Sequence, residues 1–268
     1  ETIGLQFLVN GYTLESGAMG AAIQLVDEIN NVRVGDDIAA TISAPIIGEG
    51  SLQKVEGGTL VLSGANTFTG GTVVAGGTLQ LDGSVASSTT VNAGATLAGT
   101  GTAAAVTAAS GATIAPGTDG TVGTLTTGDL ALSENSILAF DLGAPDSETG
   151  SDLIQVNGDL TLDGLLNARA AGDFGIGVYR LINFTGSLAD NGLLVNALPE
   201  GVNLEQGSIQ VTETGQVNLI IDRAIPSIQF WDGADAEGDN TIDGGSGSWN
   251  LTDTNWTDAN GEFNAGWN

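Results

Sequence analysis

A turn-plus-strand phrase recurs along this chain at a nearly fixed interval, and few folds can absorb that. GGTLxL starts at Gly57 and again at Gly76, 19 residues later. Weaker copies follow as AGATL from Ala93 and SGATI from Ser110. Leu60 and Leu62 fall on one face of such a segment, and Thr59 and Val61 on the other. Leu79 and Leu81 likewise oppose Gln80. Alternation with a period of two, bounded by glycine, reads as a short strand. The paired glycines Gly57-Gly58, Gly70-Gly71 and Gly76-Gly77 supply corners where positive φ is allowed. A unit this short cannot bury its apolar face alone, so it must stack on its own copies.

Alternation continues downstream in longer coils, through Leu130/Leu132, Leu138/Phe140/Leu142, Ile154/Val156 and Leu160/Leu162. Val178 to Phe184, Ile209 to Val211 and Val217 to Ile221 read as further strands. Glu15 to Asp27 is the one Ala-rich stretch without a strand pattern, and its glycines argue for a loop or corner. The expected fold is all-β, a right-handed parallel β-helix with a short Trp-rich C-terminal extension. At ~4.7 Å between strands, roughly 10 coils would make a stack on the order of 50 Å long. A boundary is expected around Arg223 to Ser227, dividing a β-helix at 1–225 from an acidic segment at 226–268.

Composition narrows the chemistry. Five basic residues face 32 acidic ones, for a formal charge of −27. Such a surface repels nucleic acid and anionic membrane and attracts cations. There is no cysteine and no histidine. That removes disulfides, thiol chemistry, Ser-His-Asp triads and His-ligated zinc. No run approaches the ~20 apolar residues of a membrane-spanning helix, so no direct membrane insertion is expected. The chain starts at Glu1 without a signal sequence, as expected of a processed product or a piece of something longer.

The segment GGTLVLSGANTFTGGTVVAGGTLQL, from Gly57, resembles the passenger-associated transport repeat of autotransporter proteins. Its two GTLxL strands and its SGANTFTGGT corner carry the likeness. Thr2 to Glu56 is similar to coils that commonly precede that repeat, and Asp152 to Leu188 to coils that follow it. The resemblance implies a passenger exported by type V secretion to the surface of a Gram-negative bacterium. A terminal membrane barrel is not seen here, so passenger alone is expected. FWDGADAEGD from Phe230 and GSGSWNLTDTNWTD from Gly245 are similar to the opening of a new module in large tandem adhesins. From this follow the expected partners: a host or neighbouring cell surface, glycans, or further copies end to end.

No catalytic residues are expected. Paired acids can hydrolyse glycosides, and Asp36-Asp37 and Asp141 with Asp146 and Glu148 are the clusters within the helix region. Neighbouring strand residues point to opposite faces, which would separate Asp36 from Asp37. Calcium is the one candidate cofactor: Asp235, Glu237, Asp239 and Asp243 supply hard oxygen ligands at close spacing. The four tryptophans, Trp231, Trp249, Trp256 and Trp267, all lie near the C-terminus. They could stack on sugar rings or form the core of a small subdomain. The Trp-rich piece is expected to cap one end of the helix or to bridge to a neighbouring module. An unchanged melt after its deletion would retire that idea.

Overall fold

The computed structural model describes residues 4–17, 20–118, 120–147, 150–212, 214–222, 230–233, 239, 241–244, 255–257 and 264–265. Contacts divide the chain into two units, Glu1–Ile221 and Asp222–Asn268.

The first unit is the right-handed parallel β-helix expected from the repeat. From Ser51 to Phe184, each coil contributes one strand to each of three sheets. Ser51–Val55, Thr59–Leu62 and Ala65–Asn66 make one coil, and Thr72–Val74, Thr78–Leu81 and Ser84–Val85 make the next. The first sheet runs from Leu5–Phe7 to Leu188–Asp190 and the second from Tyr12–Leu14 to Leu194–Ala197, with nine strands each. The third has eight strands and begins at Ala65–Asn66. Ile23–Leu25 pairs with Ile46–Gly48 as a separate ribbon. Glu15 to Asp27 is therefore not wholly loop.

Register explains the repeat. Leu60 lies beside Leu79, Leu79 beside Leu97, Leu97 beside Ile114, Ile114 beside Leu138 and Leu138 beside Leu166. All six are completely buried. Fully burying one such side chain contributes about 1.5–3 kcal/mol. A one-residue slip would turn the whole column outward, so this ladder fixes the register.

The corner motif has its own physical content. Asn66 occupies a core position, beside Val85 of the next coil. Its amide donates to the carbonyls of Gly64 and Ser84 at 3.0 and 2.9 Å, and its carbonyl accepts from the Ile46 N–H at 3.0 Å. One buried side chain thus joins three successive coils. Phe68, two residues on, is fully buried in the core. A Cβ at Gly70 would stand 2.4 Å from the backbone of Gly50, so no other residue fits there.

Lys54 is an exception to the apolar interior. It occupies an inward position, between Val32 and Val74, and is fully buried. Its ammonium donates to the carbonyls of Val55, Glu56 and Gly76 at 3.2, 2.7 and 2.9 Å. Burial pushes its pKa down to about 8, against the opposing pull of Glu56 and Asp36.

The helix does not end as it runs. In the third sheet, Gly177–Phe184 pairs antiparallel with Gln216–Ile221, which pairs antiparallel with Gly207–Thr212. The last two strands form a hairpin rather than further coils, because the short Thr212–Gln216 connection reverses the chain. Alternation identified both strands but carries no information on direction.

Candidate functional site

Coil length sets where side chains can gather. Thr113 follows Thr96 by 17 residues in register, Ile137 follows Thr113 by 24, and Leu165 follows Ile137 by 28. The added residues leave the strands as turns on the outer face of the second sheet. One turn follows Thr113–Pro116. It is pinned by reciprocal backbone bonds between Gly99 and Gly117 at 2.7 and 3.0 Å, and between Thr118 and Thr121 at 3.1 and 2.7 Å.

Two carboxylates hold that turn. Asp141 Oδ2 accepts from the Gly120 N–H at 2.9 Å. Asp152 accepts from the Gly123 N–H and from the Asp141 N–H, both at 2.7 Å. The Arg169 guanidinium pairs with Asp141 Oδ1 at 3.1 Å. Asp152 is almost wholly buried. Burial pushes its pKa up to about 7, with the neighbouring Asp141 charge adding to the rise and the backbone N–H bonds and Arg169 opposing it.

Turn and sheet together enclose a groove of about 300 Å³. Thr59, Thr78 and Thr96 line one side, Ala115 and Ala139 the floor, and Thr118 the wall. Asp141, Asp152 and Arg169 close one end.

The acid clusters expected from sequence are rearranged. Asp36 and Asp37 lie in a turn, not a strand, and Asp37 has a φ of 60°. Asp36 accepts from the Gly57 N–H at 2.9 Å and so serves the corner. Asp146 exchanges bonds with the Val178 backbone, at 2.9 and 3.3 Å, rather than joining Asp141. Glu148 lies outside the described residues. The partner of Asp141 is Asp152, which the spacing did not single out. Arg169 was also missed. Its pairing follows from the register, which sets it directly beside Asp141.

In the second unit, Phe230–Trp231, Trp256–Thr257 and Asn264–Ala265 form a small antiparallel sheet. Trp231 and Trp256 meet edge to face with centroids 5.3 Å apart, a favourable aromatic arrangement. Trp249 and Trp267 lie outside the described residues. So do Asp235 and Glu237. Asp239 accepts from the backbone and hydroxyl of Thr241. The Asp243 N–H donates to the buried Asp232 carboxylate at 2.8 Å. Among the described residues, no three acidic side chains converge as a metal cage would need. Nor is any helix among them long and apolar enough to cross a membrane, which does not bear on membrane β-barrels.

Residues 52–81 match the family described as Passenger-associated-transport-repeat. These span the coil that carries Asn66 and most of the next. The chain is also similar to the "Adhesin BmaC autotransporter" of Brucella suis biovar 1 (strain 1330). The two are 47% identical over 133 residues, which cover 47% of this chain but 4% of that protein. Repeat and relative agree on what this β-helical chain resembles: it is similar to autotransporter sequence and carries one match to the passenger-associated transport repeat.

Proposed function

We propose that the chain is a structural and adhesive stretch of a surface passenger, exported by type V secretion and displayed outside a Gram-negative cell. The observation that carries this is the likeness, over about half the chain, to a protein named as an adhesin. The architecture is consistent with that role. The central coils place most of their Leu, Val and Ile in the interior, and the outer faces are left for contact with a host or neighbouring surface.

The reading is non-catalytic. The buried acid pair found among the described residues, Asp141 with Asp152, uses carboxylate oxygens on the backbone of a turn, and its geometry is accounted for by holding that turn. Acidic surface predominates. Lys54 is buried, and Arg33 and Arg169 are paired with Glu56 and Asp141. That surface favours solubility and mutual repulsion of free chains.

The test is attachment. Beads coated with the 268-residue chain are expected to bind host cells or an abiotic surface above albumin-coated beads. Deleting the same segment from the displayed parent protein is expected to reduce adherence. Equal adherence in both comparisons would overturn the proposal.

A further inference from the structure

The groove on the second sheet differs from the rest of the surface in three ways. It is nearly neutral on a chain of formal charge −27. At its end, the charge of Asp141 is met by Arg169, and burial favours the uncharged form of Asp152. Its side is a column of threonines in register, Thr59 beside Thr78 and Thr78 beside Thr96. No hydrogen-bond partner for their hydroxyls is found among the described residues. Its wall is fixed in advance by the paired glycines and the two carboxylates, so little ordering cost remains on binding.

These features select among ligands. The backbone groups of the inner strands are already paired with the coils above and below, so a peptide cannot add as a strand. Among the described residues lining the groove Arg169 is the sole cation, too few for a polyanion. A column of hydroxyls, each both donor and acceptor, repeats at the ~4.7 Å strand spacing beside a methyl floor. That combination suits a chain that alternates hydroxyl groups with C–H faces.

We infer that this groove binds an uncharged glycan laid across the coils, with its hydroxyls on Thr59, Thr78 and Thr96 and one end at Asp141 and Arg169. The inference deepens the adhesive reading and rests on it for its biological sense, by giving the chemical class of the surface recognised.

The experiment is titration of the full 268-residue chain with neutral hexasaccharides of glucose, mannose and N-acetylglucosamine, followed by calorimetry. One of them is expected to bind. The double variant Thr78→Val, Thr96→Val keeps branched side chains in both strands and is expected to weaken binding about tenfold, as lost hydrogen bonds of ordinary strength would. Ala115→Leu, which fills the floor, is expected to weaken it as much. Thermal melts of both variants confirm folding. Failure of all three saccharides to bind, or binding indifferent to both substitutions, would sink the inference. So would saturation by a charged peptide at the same site. Cell attachment by coated beads separates the two proposals. If wild-type beads attach and the threonine variant attaches equally, the groove is wrong and adhesion stands. If saccharide binds at the threonines but no bead attaches, the groove stands and adhesion falls.

Discussion

The short coils around Asn66 and the long coils after Ile137 obey one packing rule with opposite consequences. Between Ser51 and Ala108, successive coils repeat every 17 to 20 residues in register, and nearly every residue is strand or corner. Between Ile137 and Ala197 the repeat is 28 or more, while the buried ladder continues through Leu138 and Leu166 to the partly buried Val195, where the register shifts by one residue. The extra residues have nowhere to go but outward. They form the turn that Asp146 holds, and their coils carry Asp141 and Asp152, which hold the turn of the preceding 24-residue step and so shape the groove. A short coil commits its chain to stability, and a long coil leaves some for recognition. The glycines show the same division. Gly70 has no room for a Cβ, whereas Gly120 has open space around it and needs glycine only for its φ of +74°.

This contrast can be broken most sharply at the interior of a short coil. Leu79→Ala is expected to cost about 2–5 kcal/mol in urea denaturation, since Leu60 and Leu97 cannot both close on the cavity. A cost below about 1 kcal/mol would mean that the short coils are loosely packed. Asn66→Ala should cost about 1–3 kcal/mol, by leaving the buried N–H of Ile46 unpaired. A much smaller loss would show that a water replaces the amide.

Two predictions use pH to compare the regions. Asp152 in the long coils has a folded pKa raised to about 7 from an ordinary 3.8. The folded state therefore holds its proton more tightly, and stability from this group is present below about pH 4 and declines as pH rises through about 7. Asp152→Asn is expected to flatten that part of the profile, and an unchanged slope would assign it to other acids. Lys54 in the short coils has a folded pKa lowered to about 8 from 10.5. The unfolded state binds more protons in that window, so stability should rise from about pH 8 to 10.5. In Lys54→Met that rise should be absent, and its persistence would mean the ammonium is not the group responsible.

The smallest effect expected is on calcium. Excess Ca2+ against chelator should leave the transition of residues 1–221 in place, because the candidate ligands Asp235, Glu237, Asp239 and Asp243 all belong to the other unit. A shift of the β-helix transition would locate a cation among the outer turns instead.

Much of this was legible from the chain itself. Period-two alternation placed Leu60, Leu62, Leu79 and Leu81 inside, and the interval between repeats gave one coil per copy. Alternation has no sign, however, so the reversal at Gln216–Ile221 was invisible. Nor could local pattern show that Lys54 points inward, because its position is apolar in the coils on either side and only its neighbours reveal the rule. The pairing of Asp141 with Asp152 depends on how a 28-residue coil folds its surplus, which no spacing rule encodes. Arg169 was recoverable in principle, since counting in register from Ile137 and Leu165 sets it beside Asp141.

The in-register leucine column has a consequence for how such a chain can change. Each coil meets only the coil before and the coil after, so stability is close to a sum of local terms. Duplicating or deleting one whole coil then alters just the interfaces at the splice, provided the ladder of Leu60, Leu79 and Leu97 stays aligned. Each duplication would extend reach by ~4.7 Å without redesign of any existing contact. Length itself becomes a heritable variable, adjustable in single steps, while the surface that any one coil presents is kept.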